Sequence, residues 1–279
     1  MAVVLGYCLV MEPHLRVQLC GRVTLTGPSR SVDQRECAGG LGRQVIAMLT
    51  LSRAPVGRQR LIDAIWEGRP PRSVDSTVNA TVSRLRAAIR SAGCDADFVL
   101  RSESNLLEFA PGVVESDVQL ALGRIDRSER LLVAGDLVRA RIDATVAHSA
   151  IARTLLPGIE REWLDHRREQ LEALRTRAVN VLAVSTLKAG DTRYSLALAT
   201  EHHREHRFDD RAVVLLVAAL IASNELSGGR SVVDRWARDV EEEFGHPPLA
   251  ETLRALRHAV QTGSHDAVSK LVETLVRAA

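Results

Sequence analysis

Lysine and aromatic residues are scarce in this 279-residue chain. Lys188 and Lys270 are the two lysines among 37 basic residues, and Phe, Trp and Tyr together make up 3% of the sequence. The arginine excess fits a GC-rich coding sequence as well as any functional demand, so it excludes no class of protein. No stretch approaches the run of about 18 apolar residues that indicates a membrane-spanning helix, and we expect no such segment.

The four cysteines, Cys8, Cys20, Cys37 and Cys94, lie too far apart for a CxxC metal or redox pair, and they show no secreted disulfide framework. We therefore expect reduced thiols in a cytoplasmic protein. The content of 46% hydrophobic and 26% charged residues is that of a globular protein, and the length predicts two domains. Residues 1–112 hold 14 arginines against 10 acidic residues, too mild an excess to identify a polyanionic partner.

The first part of the chain has the order of elements of a winged helix-turn-helix domain. Residues 1–15 are predicted to be a flexible tail, with Met11 as an alternative start. Alternation in RVQLCGRVTLT predicts short antiparallel strands, and QVIAMLTLS, RQRLIDAIWE and residues 73–90 predict three helices. FVLR, SESN and LLEF then predict a hairpin. We place this domain at residues 16–111.

Beyond Pro111 the pattern is helical throughout, so the expected fold class is mainly α with a small β component. Paired helices joined by short turns predict an all-α, tetratricopeptide-like domain at 112–279, although no repeat of about 34 residues recurs. The predicted helices span 117–133, 136–153, 158–187, 192–206, 210–225, 229–243, 248–261 and 265–277.

The helix at 73–90 has an unusually bare outer face. A stripe of apolar residues faces the core: Val74, Val78, Val82, Leu85 and Ile89. The opposite line holds Ser76, Ala80, Ser83 and Ala87, flanked by Arg84 on one side and by Asn79, Arg86 and Arg90 on the other. Small side chains would let the backbone enter a major groove about 12 Å wide, while arginines reach phosphates or guanine edges. The alternative is that Ala and Ser are simply good or tolerable helix residues in an alanine-rich protein and that the arginines are solvated.

Several segments match motifs of one family. NATVSRLRAAI is close to the recognition-helix signature VSRLRRAL, and VQLCGRVTLT and GGLGRQVIAMLTLSRAPVGRQRLIDAIWEGRPP match its opening strands and first helices. WARDVEEEFGHPPLAETLRAL matches a helix, an E-[LF]-G-x-x-P turn and a second helix at the end of its activator domain. The chain thus resembles the Streptomyces antibiotic regulatory protein type of transcriptional activator, with an OmpR-like winged helix and a bacterial transcriptional activator domain.

The resemblance implies roles for individual residues. It places Thr77, Ala80, Thr81 and Arg84 near bases and adjacent backbone, Arg86 at a phosphate, and Arg101 in the wing, where an arginine commonly enters the minor groove. Asn105 and Leu106 stand where the family usually has Gly-Tyr. Together with the helix face, the candidate DNA-binding residues are Ser76, Thr77, Asn79, Ala80, Thr81, Ser83, Arg84, Arg86, Arg90 and Arg101.

Other patterns favour ordinary structural roles. GGLGR lacks the Lys and Ser/Thr of a phosphate loop and predicts a turn. His202 and His206 have a spacing that can chelate a metal, but no third ligand is evident, so we expect surface histidines at a helix end. Asp209 and Asp210 predict an N-cap and a first-turn carboxylate, and Glu241–Glu243 a solvated face. We expect no catalysis, cofactor or metal.

The sequence therefore predicts a DNA-binding transcriptional activator. By resemblance, a homodimer would bind neighbouring direct repeats in double-stranded promoter DNA and contact RNA polymerase holoenzyme, and no membrane partner is expected. Two other hypotheses remain open. The helical region could serve as a protein-interaction scaffold without DNA binding, or it could hold a small molecule in a ligand-responsive repressor.

Overall fold

A computed structural model describes residues 14–52 and 54–277. Most of the predicted tail at 1–15, with Cys8 and Met11, lies outside these residues. The chain divides into two compact units, here called the N-terminal unit (the described residues up to Leu120, with Ala150–Leu171) and the helical unit (Ala121–Ser149 and the described residues from Glu172 onwards). The limits 16–111 and 112–279 therefore stay a sequence-based prediction, whereas the mainly helical class is confirmed.

The elements follow the predicted order closely. The first half contains β1 (Leu15–Gln18), β2 (Thr24–Thr26), β3 (Ser31–Asp33), α1 (Gly39–Leu51), β4 (Val56–Gly57), α2 (Arg58–Trp66), α3 (Val74–Ser91), α4 (Ala96–Val99), β5 (Leu100–Glu103), β6 (Leu106–Phe109) and β7 (Val114–Ser116). The second contains α5 (Asp117–Val133), α6 (Leu137–Ile151), α7 (Glu162–Lys188), α8 (Thr192–Glu205), α9 (Asp210–Ala222), α10 (Leu226–Phe244), α11 (Ala250–Thr262) and α12 (His265–Arg277). None of the described helices combines the length and hydropathy needed to cross a bilayer.

Two small sheets frame the N-terminal unit. The first has the order β3-β2-β1-β7, in which β1 pairs antiparallel with β2 and parallel with β7. Alternate residues such as Leu15, Val17 and Leu25 are almost fully buried, so one face of this sheet packs on the core. The second sheet has the order β4-β6-β5, and its strands β5 and β6 form the predicted hairpin.

Two local predictions in this unit are wrong. GGLGR is not a turn, because α1 begins at Gly39. A Cβ on Gly42 would lie 1.6 Å from the Cys37 carbonyl oxygen, so glycine is needed for this helix start. Phe98 and Val99 belong to α4 rather than to a strand, since the Asp95 carboxylate accepts the Asp97 and Phe98 amides and caps a helical turn.

The segment between α6 and α7 is built into the N-terminal unit through its backbone. The Gly21 amide donates to the Thr154 carbonyl at 2.8 Å, and the Leu156 amide donates to the Leu19 carbonyl at 3.1 Å. The Arg161 guanidinium donates to the carbonyl of Ile65, the last buried residue of α2, at 2.8 Å. A stretch distant in sequence therefore helps to hold β1 and α2 in place.

The helical unit packs consecutive helices around α9. Every residue of α9 from Ala212 to Ile221 is buried, and the helix contacts α8, α10, α11 and α12. A helix that is apolar all round belongs in an interior. Asp209 caps α9 by accepting the Arg211 amide at 2.8 Å, as predicted, and Gly245, with φ of 72°, ends α10 before the prolines.

The prediction of surface histidines at the end of α8 is wrong for His202. Its side chain is 3% exposed, and burial lowers its pKa to about 4, so the imidazole is neutral at neutral pH. The helix places this residue on its inner face, beside the core residue Ala199 one turn earlier. Glu241–Glu243, by contrast, are exposed as expected.

A carboxylate–guanidinium network joins α5 to α7 in the helical unit. Arg177 donates from Nε to Glu129 Oε1 at 2.8 Å and from Nη2 to Glu129 Oε2 and Asp126 Oδ1, both at 2.6 Å. Glu129 is 8% exposed, so its charge depends on this partner. The bidentate pair, with Asp126, raises the pKa of Arg177 further above its usual value.

We expect Arg177→Leu to lower the free energy of unfolding by about 3 kcal/mol, because it leaves the Glu129 carboxylate buried without a counter-charge. Urea unfolding followed by circular dichroism measures the change. Arg204→Leu is the control, since Arg204 pairs with Glu201 on the open surface and its loss should change the free energy by less than about 1 kcal/mol. Equal effects of both substitutions would contradict the proposed importance of the network.

Candidate nucleic-acid interface

Helix α3 is anchored by one aliphatic stripe. Val78, Val82, Leu85 and Ile89 are each at most 7% exposed, and Val74 at the helix start is half-buried. The stripe confirms the core face predicted from the periodicity. Because the side chains of a helix point outward from one axis, burial of this stripe turns the opposite face away from the core.

The exposed face of α3 is a narrow ridge of small side chains. Ser76, Ala80, Ser83 and Ala87 are all exposed, and together they are called the α3 ridge. Asn79, Arg84 and Arg90 are also exposed beside it, whereas Arg86 is half-buried.

Thr81 does not lie on this face. It is 5% exposed, and its hydroxyl donates to the Thr77 carbonyl at 2.8 Å. The periodicity itself could have shown this, since position 81 neighbours Val78 and Leu85 on the wheel.

The first turn of α3 uses its hydroxyls locally. Ser73 occupies the position before the helix, as predicted, but its side chain makes no capping hydrogen bond. Instead the hydroxyls of Ser76 and Thr77 both donate to the Ser73 carbonyl at 2.9 Å. Thr77 is half-buried, so this bond holds its hydroxyl against the backbone beside the ridge.

Arg58, at the first position of α2, holds the start of α3. Its Nε pairs with Asp75 Oδ1 at 3.0 Å, its Nη1 donates to Asn79 Oδ1 at 2.9 Å, and its Nη2 donates to the Asp75 carbonyl at 2.7 Å. Its own amide donates to the Asn105 carbonyl in the hairpin turn at 2.9 Å. One residue therefore joins α2, α3 and the hairpin.

Asp97 in α4 performs a similar task for the second half of α3. Its carboxylate lies 3.3 Å from Arg86 Nε and 3.7 Å from Arg90 Nη2. Arg86 also reaches the Leu100 carbonyl at 3.5 Å. Arg84, on the other side of the ridge, has no ion pair or hydrogen bond from its side chain among the described residues. The ridge is therefore flanked by Arg84, which has no such partner among the described residues, and by Arg86 and Arg90, whose charges Asp97 partly neutralises.

The hairpin formed by β5 and β6 closes tightly despite the absence of Gly-Tyr. Ser104 and Asn105 make a two-residue turn, with φ of 48° and 66°. Two successive left-handed residues are typical of a type I′ turn, which matches the twist of paired strands. On β5, Arg101 is exposed and its guanidinium lies 5.9 Å from the centre of the Phe98 ring.

A basic cavity of about 280 Å³ opens between α3 and this hairpin. Arg58, Arg86 and Arg90 contribute to its lining, as do Ser83 and Asn105, and no carboxylate is among the described lining residues. Three guanidinium groups around one cavity favour an anionic occupant. The structure thus brings the helix candidates and the hairpin to one basic surface.

Sequence analysis missed Arg58 and Asp97 as parts of this surface. Arg58 lies 17 residues before Asp75 and contacts it across an intervening turn, which helical periodicity does not reveal. Asp97 directly precedes the segment that the pattern assigned to a strand. The sequence offered one signal for Arg58, which is a basic residue at the start of the second predicted helix.

Comparisons with known proteins bear on the family and the fold of this chain. Residues 116–261, more than half of the chain, match the family model described as the bacterial transcriptional activator domain. The structure of Mycobacterium tuberculosis EmbR in complex with a low-affinity phosphopeptide superimposes with a TM-score of 0.83 at 21% identity, covering 95% of this chain and 69% of that one. At that identity the likeness shows the fold, which confirms a winged helix followed by a helical domain.

Two curated relatives share shorter segments. The transcriptional regulatory protein EmbR of M. tuberculosis is 38% identical over 93 residues, which are 32% of this chain and 23% of that protein. The transcriptional regulatory protein MoaR1 of the same organism is 42% identical over 62 residues, which are 22% of this chain and 20% of that protein. Each match thus spans less than a quarter of the relative's length. These findings confirm the resemblance to the Streptomyces antibiotic regulatory protein type.

We expect Ser104→Gly to raise the free energy of unfolding by about 0.5–1 kcal/mol, because glycine adopts positive φ without the steric cost that serine bears there. Thermal unfolding of the full chain measures the change. Ser102→Gly is the matched control, since Ser102 lies in strand β5, where glycine is unfavourable and should lower the stability. A loss of stability in Ser104→Gly would contradict the assigned turn.

Proposed function

Because this chain belongs to the family of the bacterial transcriptional activator domain, we propose that it is a transcriptional activator that binds double-stranded DNA. The proposed DNA-binding domain is residues 16–111, and residues 112–279 serve dimer contacts and regulation. By family likeness, two copies bind neighbouring direct repeats in a promoter and contact RNA polymerase holoenzyme. The chemistry is recognition without catalysis.

The α3 ridge carries this proposal. A solvated helix gains little from keeping four small side chains along its most exposed line. A helix in the major groove needs that line to be slim, because the groove is only about 12 Å wide. Ser76, Ala80 and Ser83 would then lie closest to the base edges, where hydroxyls can bond either kind of base atom and a methyl group can meet thymine.

Charges around the ridge assign different tasks to the arginines. Arg84 is exposed and uncommitted, so it suits a bidentate contact to guanine. Arg86 and Arg90 are held by Asp97 at one side of the ridge, where they suit backbone phosphates.

The remaining candidates have supporting positions. Arg101 extends from the hairpin, where it suits the minor groove. Asn79 is kept beside the ridge by Arg58, and Thr77 sits on the adjoining turn. We leave the buried side chain of Thr81 out of the proposed contacts.

The sharpest test of base recognition is Arg84→Ala. Loss of a bidentate guanine contact should weaken binding to the preferred site by about 1–3 kcal/mol and relax discrimination at one base position. Selection from a random DNA library, followed by gel-shift titration, measures both. Arg35→Ala removes the same charge from the exposed turn after β3 and should leave the preferred sequence unchanged. An unchanged site preference in Arg84→Ala would refute the assignment.

Phosphate contact is tested by two variants that should act in opposite directions. Arg86→Ala removes one cation, so the slope of log affinity against log salt should become shallower by about 0.9 with little change in the preferred sequence. Asp97→Asn removes the competing carboxylate from Arg86 and Arg90, so DNA affinity should rise, most clearly at low salt.

Titration of genomic fragments at two salt concentrations provides these slopes. Weaker binding by Asp97→Asn would show that Asp97 acts by positioning Arg86 rather than by competing with phosphate. No salt-dependent DNA binding by the wild-type chain would favour the scaffold hypothesis instead.

A further inference from the structure

A cluster of side chains that can bind a metal lies in the helical unit. It forms where the end of α8 is close to Glu172 of α7. Glu172 comes from α7, and Glu205 and His206 come from the last turn of α8 and its C-cap. One ligand atom from each of these three residues lies within 4.8 Å of the other two. His206 Nε2 lies 3.4 Å from Glu172 Oε1.

A second observation at the same place points to a ligand. His202 lies one helical turn before His206, and their ring centres are 4.8 Å apart. His202 is 3% exposed, and its Nε2 has no hydrogen-bond partner among the described residues. A buried polar nitrogen without a partner costs free energy, and such atoms are rare in folded proteins unless a water, an ion or a function accounts for them.

The groups around the cluster leave the ligand atoms available. Arg175 Nη1 donates to Glu172 Oε2 at 2.6 Å, which orients the carboxylate with Oε1 toward His206. His202 is adjacent to this pair, because its ring packs against the His206 ring.

We propose that Glu172, Glu205 and His206 bind a divalent transition-metal ion of the zinc class, beside the buried ring of His202. Imidazole nitrogen and carboxylate oxygen together suit Zn²⁺, whereas Ca²⁺ and Mg²⁺ take oxygen ligands. Ligand atoms about 2.1 Å from a tetrahedral ion lie about 3.4 Å from one another, as Glu172 and His206 already do. The exposed Glu205 side chain needs to move by only about an ångström or two.

Binding would join α7 to the C-terminal end of α8. An ion that binds the folded state stabilises it in proportion to the logarithm of its concentration above the dissociation constant. The metal site is therefore a means by which ion supply could set the stability of the helical unit, independently of DNA recognition.

The test uses the full chain, freed of metal with a chelator and titrated with Zn²⁺ alone. Isothermal titration calorimetry should show one saturable site per chain, and the midpoint of thermal unfolding should rise with added Zn²⁺. Glu205→Gln and His206→Gln should each weaken binding about tenfold or more, by loss of a direct ligand. Glu205 is exposed, so its substitution should leave the circular dichroism spectrum unchanged.

The matched control is the double variant His166→Gln with Glu169→Gln. These residues form an exposed pair on the same helix α7, with Nδ1 and Oε2 3.7 Å apart, but belong to no three-residue cluster among the described residues. The control should bind Zn²⁺ as the wild type does. Absence of saturable binding, or binding of equal strength in Glu205→Gln, would overturn the proposal. So would thiolate charge-transfer bands on binding Co²⁺, which would indicate cysteine ligands instead.

Discussion

Burial of one aliphatic stripe on α3 is the constraint on which the candidate DNA-binding surface depends. With Val78, Val82, Leu85 and Ile89 packed on the core, the residues half a turn away point away from it. Each of these side chains contributes about 1.5–3 kcal/mol through burial, more than any single surface contact on the opposite face can offset. The orientation of Ser76, Ala80 and Ser83 is therefore decided by the core.

Polar contacts then set what the surface can do. Arg58 connects the start of α2 to Asp75 and Asn79, and Asp97 lies against Arg86 and Arg90. These contacts hold the guanidinium groups beside the ridge, at the cost of reducing the positive charge that a phosphate would meet. We therefore expect this surface to prefer a partner with several regularly spaced anionic groups, such as the phosphates of DNA, over a single small anion.

Much of this could be predicted from the sequence, because it depends on local periodicity. Helix α5 begins and ends where the pattern placed it, and the Asp209 cap and the Gly245 helix end follow from residue chemistry. The misassigned segments depend on a contact between particular atoms. Gly42 admits the Cys37 carbonyl, and Asp95 caps α4, so GGLGR and Phe98 become helical.

Local periodicity could not predict contacts between residues that are distant in the sequence. No spacing rule brings Arg58 to Asp75, the segment after α6 to β1, or Glu172 to His206. The burial of Thr81 was within reach, since its position on the wheel adjoins the aliphatic stripe, but the family likeness assigned it to DNA. Apart from Arg101, the candidate DNA-binding residues named from the sequence all lie on helix α3.

The α3 ridge is proposed to enter the major groove of DNA. Methylation interference on bound promoter fragments tests it most directly, because dimethyl sulfate modifies guanine N7, which lies in that groove. If the ridge enters the groove, methylation of particular guanines within each repeat should prevent binding. Binding that is unaffected by N7 methylation at every guanine of the protected site would contradict it.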